Sequence, residues 1–237
     1  MEQIFTKVKG KKLTDFDDLE TMANYAWEVV HRHCQRAFYD SWESIKYASV
    51  NPILEESFFK NYLWCVYVSG FSAKAVTTNY DKLLLAHNLV DSRGFFIPAL
   101  HADPPCKDKV FAIWKNHAKF NAIFDTRKRV REGWTHFRKT YLDGRNPLDI
   151  QNIAFMGPAL SRHLARNLGA VNVVKPDVHM LRLAEKFLPK DYEWHETGMD
   201  DVERLCRRVT DTCIKMDSWP LGKVDLLLWY AAATLRS

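Results

Sequence analysis

The stretch Asn152–Ala184 reads NIAFMGPALSRHLARNLGAVNVVKPDVHMLRLA and holds the local signals that decide the fold. A short helix is predicted to end before a tight turn at Gly157. Pro158 suits the first turn of the next helix, because its missing N–H group would be unpaired there anyway. Gly169 is the expected C-cap of that second helix. Because amides point outward at a helix start and glycine permits close approach, the stretch predicts a helical hairpin with an anion site at its turn.

The rest of the chain indicates helices as well. Gly and Pro are scarce, at nine each, and apolar residues recur mostly at spacings of three and four. We find neither a convincing strand pattern nor an internal repeat. Thr14 or Asp15 is predicted to cap the first helix. The sequence therefore predicts an all-α protein of about nine or ten helices, over residues 15–44, 57–68, 74–87, 107–141, 149–154, 159–168, 176–187, 200–216 and 224–235.

The composition is that of an ordinary globular protein. Of 237 residues, 47% are hydrophobic and 27% charged, which excludes a disordered chain. No apolar run is long enough to span a membrane, and Met1–Lys12 lacks the apolar region of a secretory signal. Five cysteines are then expected as free thiols in a reducing cytosol. The net charge of +5 permits a polyanionic partner.

Two motifs in the quoted stretch resemble the helix-hairpin-helix (HhH-GPD) DNA glycosylases related to endonuclease III. The hairpin of that family reads roughly L-P-G-V-G-x-K-T-A and is followed by V-D-T-H-x-x-R. Here IAFMGPALS, residues 153–161, falls on the first pattern, and PDVHMLR, residues 176–182, falls on the second. The segments YVSGF at 67–71 and VDLLLWY at 224–230 also resemble the family, so the resemblance extends over residues 58–230.

The resemblance implies one glycosylase-like unit over residues 1–237, built from two helical lobes. The hairpin and the catalytic loop would then occupy residues 149–187. DNA contacts are expected from the hairpin residues Phe155, Met156, Gly157 and Ala159.

Three departures from the family pattern matter for the chemistry. Phe155 stands in place of the first hairpin glycine, which predicts a wider or differently shaped turn. Ala159 stands where bifunctional members carry a catalytic lysine, so no amine there can form a Schiff base. Cys206 and Cys213 have the first spacing of an iron–sulfur motif, but no further cysteine follows. We therefore expect a monofunctional enzyme with no iron–sulfur cluster, metal or cofactor.

Asp177 is the residue to which the resemblance assigns catalysis. It follows Gly157 by twenty residues. A carboxylate near C1′ of a flipped nucleotide can stabilise the positive charge of bond breaking and orient the attacking water. The alternative is a helix cap, a common place for Asp. The two roles are compatible, because a capping Asp can still present one oxygen.

Further residues have an implied role and a plain structural alternative. Phe71 stands where relatives insert a side chain into the duplex, but it can equally cover the core. Trp64 and Tyr67 either stack on a flipped base or belong to the core. Lys175 is a phosphate contact or a solvated lysine. The resemblance also gives the pair His179 and Arg182 a role in supporting the Asp177 turn, the alternative being a surface pair.

The segment 107–139 is strongly basic, with ten Lys or Arg against three acidic residues. Arg127, Lys128 and Arg129 are the expected phosphate contacts, although a charge run on a helix can also be a solvated face. The group His31–Cys34 contains His, His and Cys, but their spacing on a helix spreads the ligands apart, and we expect no metal there.

Three functions stay open at this stage. The first is a monofunctional DNA glycosylase acting on a damaged or modified base. The second is a transferase of the phage thymidine hypermodification type, which alters a base in DNA without removing it. The third is a non-catalytic DNA-binding module. All three predict duplex DNA as the partner. We expect a monomer in the cytoplasm, associated with the nucleoid and not with a membrane.

Overall fold

Helices and helical turns make up the regular secondary structure of the part of the chain that the structure describes. This computed structural model describes residues 11–71, 73–189 and 199–233. The all-α prediction is therefore confirmed for these residues. The α-helices are α1 (Leu19–Val29), α2 (Gln35–Val50), α3 (Glu55–Val68), α4 (Ala73–Ala86), α5 (Lys107–Ile113), α6 (His117–Glu132), α7 (Trp134–Tyr141), α8 (Pro147–Ile150), α9 (Pro158–Asn167), α10 (Val178–Phe187), α11 (Met199–Thr212) and α12 (Leu221–Ala232).

The first predicted helix begins later than expected and is interrupted. Its cap is Asp18, whose carboxylate accepts a hydrogen bond of 2.7 Å from the Thr21 N–H. The expectation of a cap at Thr14 or Asp15 was wrong, because those residues lie in a 3₁₀ turn, Leu13–Asp15. A π-helical turn, Val30–Cys34, separates α1 from α2. The helical period continues across it, so the sequence shows one helix there.

The basic segment 107–141 forms three helices instead of one. The chain leaves α5 at Trp114, and Asn116 caps α6 by accepting a hydrogen bond of 3.0 Å from the Lys119 N–H. Gly133 then separates α6 from α7. These breaks, together with the π-helical turn, bring the α-helices of the described residues to twelve, above the predicted number.

The chain divides into two compact units. Unit 1 holds residues 1–50 and 169–237, and unit 2 holds residues 51–168. The segment 149–187, expected to carry the hairpin and the catalytic loop, is therefore shared: the hairpin belongs to unit 2 and the loop with Asp177 to unit 1.

Each unit has its own apolar core. In unit 1, the closing helix α12 is buried along most of its length and packs against α1, α10 and α11. In unit 2, α3 is the central helix, as predicted, and buries Phe58, Phe59, Tyr62 and Leu63 completely. Of the five cysteines, all of which are free thiols, only Cys106 is exposed. Burial of Cys206 and Cys213 favours the packing role over metal binding.

Among the described residues, none of the helices has the length and hydropathy needed to cross a lipid bilayer. The prediction about the N-terminal segment Met1–Lys12 falls almost entirely on residues 1–10, which lie outside the described part of the chain.

Candidate active site

The predicted hairpin consists of α8, a tight turn and α9. Asn146 caps α8, and Pro158 occupies the first position of α9, as the sequence predicted. Gly169 follows the end of α9 with φ +102°, which fits the predicted glycine stop. A Cβ at this position would lie 2.4 Å from the backbone nitrogen of Ser49, so only glycine fits.

The hairpin turn places Phe155 in an unusual backbone conformation. The Met156 N–H donates to the Ile153 carbonyl over 3.1 Å, which closes a four-residue turn. Phe155 adopts φ +67°, the left-handed conformation that glycine adopts without strain. Phe155 thus takes a backbone conformation for which a glycine would be suited. For an L-residue this conformation costs about 1–2 kcal/mol.

The start of α9 is open. Gly157 is its N-cap residue, no side chain caps this end of the helix, and a Cβ added at Gly157 would meet no atom within 4 Å. The backbone at Gly157 and Ala159 is thus open to approach by an anion, and anion binding there stays a prediction. Met156, by contrast, is buried and supports the turn from inside.

Tyr62 and Arg129 anchor the hairpin to the rest of unit 2. The buried Tyr62 hydroxyl lies 2.8 Å from the Ala154 carbonyl and 2.8 Å from the Thr126 hydroxyl on α6. The Arg129 guanidinium donates to the Asn152 carbonyl over 3.0 Å. Sequence reasoning missed the role of Tyr62, although a tyrosine on a helix that is apolar nearly all round must find a hydrogen-bond partner.

The three predicted phosphate contacts of α6 have different environments. Only Lys128 is exposed. Arg129 is half-buried and bonded to the hairpin as described. Arg127 is buried, and its guanidinium donates to the carbonyls of His87 and, over 2.6 Å, Asn88. Burial lowers the pKa of Arg127 to about 10. The assignment of Arg127 to DNA binding was therefore wrong: its donors are used inside unit 2, where they hold the C-terminal end of α4.

The three aromatic residues proposed for the base pocket or the wedge also differ in their exposure to solvent. Phe71 is 49% exposed, so it lies on the surface of unit 2 and not in its core. Tyr67 is completely buried, and its hydroxyl lies 2.8 Å from His87 Nε2. Its ring cannot stack on a base in this structure, and its assignment to the base pocket was wrong. Trp64 is half-buried and faces an open groove of about 430 Å³, lined by Lys60, Asn61, Trp64, Thr77, Tyr80, Asp81 and Asn167.

Asp177 lies in unit 1, as the N-cap of α10. One carboxylate oxygen accepts hydrogen bonds from the N–H groups of His179 and Met180, over 3.0 and 3.1 Å. The other oxygen lies 3.6 Å from Lys175 Nζ. Asp177 therefore acts as a cap with one oxygen and keeps its second oxygen beside a cation. The structure thus shows the cap alternative, and the second oxygen takes no part in it.

Three predicted neighbours of Asp177 differ in exposure. Lys175 is half-buried and pairs with Asp177, so it is not simply a solvated lysine. His179 contributes its backbone N–H to the cap. Arg182 is exposed on α10.

Asp225 on the closing helix is a site residue that the sequence reading missed. It is fully buried, and its carboxylate accepts a hydrogen bond of 3.3 Å from the Lys175 N–H. Gly222, one turn earlier, donates its N–H to the Val171 carbonyl over 2.9 Å. The loop that leads to Asp177 is thus fixed to α12 at two points. The signal was an aspartate inside the otherwise apolar run VDLLLWY.

The fold is similar to that of a solved DNA glycosylase. The 8-oxoguanine DNA glycosylase of Thermotoga maritima superposes with a TM-score of 0.59 at 19% sequence identity, over 90% of this chain and 96% of that protein. Neither protein-family models nor curated protein sequences gave a match. The structural likeness confirms the predicted fold: the chain has the all-α fold of this glycosylase. Within the described residues, no group of three or more His, Cys, Asp or Glu side chains could hold a metal ion.

Proposed function

We propose that the protein is a monofunctional DNA glycosylase that hydrolyses the N-glycosidic bond of a flipped, damaged or modified base. The observation that carries the proposal is Asp177. On a glycosylase fold, it caps the helix that follows the hairpin and holds its second carboxylate oxygen near Lys175. The hairpin, with its open helix start at Gly157, would bind the phosphates of duplex DNA.

The chemistry assigned to Asp177 is hydrolysis at C1′. As the bond between C1′ and the base nitrogen breaks, its electron pair leaves with the base and positive charge develops on the sugar. The Asp177 carboxylate stabilises this charge and orients a water molecule, whose oxygen forms the new bond to C1′. The water gives one proton to the Asp177 carboxylate, and the departing base nitrogen takes up one proton in turn, so the products are a free base and an abasic site.

Ala159 supports the monofunctional assignment. Its methyl group occupies the hairpin position at which the family pattern has a lysine, so the hairpin supplies no amine for a Schiff base. Lys175, whose Nζ lies 3.6 Å from the Asp177 carboxylate, is engaged in an ion pair there. Strand cleavage should therefore require added alkali.

The experiment is incubation of the purified protein with duplexes that carry single modified bases, 8-oxoguanine among them, and with genomic DNAs that contain modified pyrimidines. Mass spectrometry of released bases and of the remaining nucleosides identifies the product. Free base from one of the duplexes supports the proposal. A mass shift on an intact nucleoside would show a base-modifying enzyme instead, and binding without either product would show a DNA-binding module.

A second measurement tests the monofunctional assignment. Borohydride should trap no covalent adduct between the protein and the DNA, and abasic strands should stay intact until alkali is added. A trapped adduct that disappears in a Lys175→Met variant would show that Lys175 supplies the amine. Size-exclusion chromatography with light scattering tests the proposed monomer, and cell imaging tests the proposed nucleoid association in the cytoplasm.

A further inference from the structure

Lys119 is a buried cation that the proposed mechanism does not use. Its side chain lies on α6 with the residue only 3% exposed. Nζ donates to the carbonyls of Tyr67 and Ser69, over 3.0 and 2.7 Å. These carbonyls are at the C-terminal end of α3, where acceptors lack partners within the helix and a cation is favoured. Burial nevertheless lowers the pKa of Lys119 to about 8, so the chain keeps an amine at a place where its charge is costly.

The ammonium group also lies against the rings of two partly exposed phenylalanines. Its distance to the ring centroid is 4.6 Å for Phe71 and 6.0 Å for Phe155, and the rings of Tyr67 and Trp114 lie at 5.7 and 5.9 Å. Trp114 contacts Phe71 edge-on, with ring centroids 4.7 Å apart. Phe71 and Phe155 come from distant parts of the sequence, the loop after α3 and the hairpin turn. The cation therefore lies beside rings from two surface segments of unit 2 that are distant in the sequence.

The exposure of the two phenylalanine rings points to a partner. Phe71 is 49% exposed and Phe155 is 36% exposed, although both are large apolar side chains. Phe155 in addition adopts its left-handed backbone conformation at φ +67°, a cost that a glycine would avoid. Exposed aromatic rings beside a phosphate-binding turn are suited to contact bases, by stacking or as a wedge between base pairs.

We propose that Lys119 is a positioning residue that holds Phe71 and Phe155 together as one surface, the aromatic pair, which contacts bases in duplex DNA. The inference rests on the proposed function for its ligand. Lys119 itself need not touch DNA, because its donors point to the two carbonyls and its charge to the rings.

The test compares two lysine variants of the full chain. Lys119→Met removes the charge and both hydrogen bonds at similar length. Lys82→Met is the matched control, because it removes one positive charge from an exposed position on α4 in the same unit. Affinity for a fluorescent duplex is measured at one fixed salt concentration. We expect about tenfold weaker binding for Lys119→Met, the effect of losing a well-placed aromatic contact, and a change within about twofold for Lys82→Met.

Two further measurements separate positioning from general stabilisation. In the free protein, hydrogen exchange should become faster in the peptides that cover residues 68–71 and 153–157 while the rest of unit 2 is unchanged. In a double-mutant cycle, Lys119→Met should cause little further loss of affinity when Phe71 is already Ala, because the lysine acts through that ring. A purely structural role predicts losses that multiply.

The outcomes are distinct. The inference is overturned if Lys119→Met binds duplex DNA as tightly as the control, or if the losses multiply in the cycle. In either case, base release by the wild type still supports the proposed function. The expected affinity pattern without any base release supports the inference and overturns the glycosylase proposal. If Lys119→Met does not fold, the cycle between Phe71→Ala and Phe155→Ala decides. Coupled losses support one shared surface, and independent losses overturn it.

Discussion

Asp177→Asn separates the helix cap that the structure shows from the catalytic role that we propose. The cap uses one carboxylate oxygen, which accepts from the N–H groups of His179 and Met180. Asparagine retains an oxygen for these bonds and nearly the same shape. What it removes is the negative charge, including that of the oxygen 3.6 Å from Lys175 Nζ. The substitution therefore leaves the cap and deletes the charge that the proposed chemistry requires.

The expected magnitudes differ enough to decide between the roles. Asn and Asp are about equally good N-caps, so the cap contributes a change of only a few tenths of a kcal/mol. Loss of the ion pair with Lys175 should lower the free energy of unfolding further, because the two side chains are only 21% and 17% exposed. Thermal unfolding measures that loss separately from base release. If Asp177 acts on the transition state, base release should fall about 10²–10⁴-fold, which corresponds to roughly 3–5 kcal/mol in activation free energy.

The assay is single-turnover base release with enzyme in excess, together with thermal unfolding of the same preparations. Asp18→Asn is the matched control, since Asp18 caps α1 through the Thr21 N–H in the same way and lies in the same unit. It should release base at the wild-type rate. Duplex affinity of Asp177→Asn should stay the same or increase. Base release by Asp177→Asn within a few-fold of the control would refute the catalytic assignment and leave Asp177 a cap.

Three further predictions concern unit 2. Arg127→Met should lower the free energy of unfolding by about 2–4 kcal/mol, because it leaves two carbonyls at the end of α4 without their donor. Lys128→Met, on the exposed side of α6, should change it by less than about 0.5 kcal/mol. Denaturant titration measures both, and equal stabilities would show that the side chain of Arg127 is not buried. Phe155→Gly should be more stable than Phe155→Ala by about 1 kcal/mol, the reverse of the usual order, because only glycine adopts φ +67° without strain. Both variants lose the ring, so their duplex affinities should be equal. A more stable Ala variant would contradict the turn geometry. Burial, and secondly Arg127, lower the pKa of His87 to about 3 from about 6.5. The contribution of neutral His87 to stability is therefore complete above pH 6.5 and falls by about 1.4 kcal/mol per pH unit as the pH falls toward 3. Unfolding titrations between pH 7 and 4 should show this slope, and His87→Gln should lack it.

The helical architecture was largely accessible from the sequence, because its signals are local. Pro158 and Gly169 mark the two ends of α9 through backbone preferences that need no tertiary context. The apolar residues of α3 predicted a buried central helix. The breaks at Asn116 and Gly133 were missed because the basic pattern continues across them, and a cap such as Asn116 competes with many other plausible positions.

The environments of the basic residues were not accessible in this way. Lys119, Arg127 and Lys128 belong to one helix and look alike in the sequence. Lys119 and Arg127 are buried because carbonyls at the ends of α3 and α4 need donors that those helices do not supply. The unpaired carbonyls belong to other helices, so the sequence around each basic residue does not show that it will be buried. Charge counting therefore overestimated the surface available for phosphate.

An acidic residue that supports the Asp177 loop was missed for a similar reason. Asp177 was found as a candidate because it lies in a short motif, PDVHMLR, twenty residues after Gly157. Asp225 could not be found from that motif, since it lies in the closing helix and acts on the backbone of Lys175, over 3.3 Å. Yet this bond fixes the loop just before Asp177, while Lys175 uses its side chain on the Asp177 carboxylate. One lysine thus links a buried carboxylate, which sets the backbone, to a partly exposed one, which is available for chemistry. The orientation of the proposed catalytic oxygen depends on both.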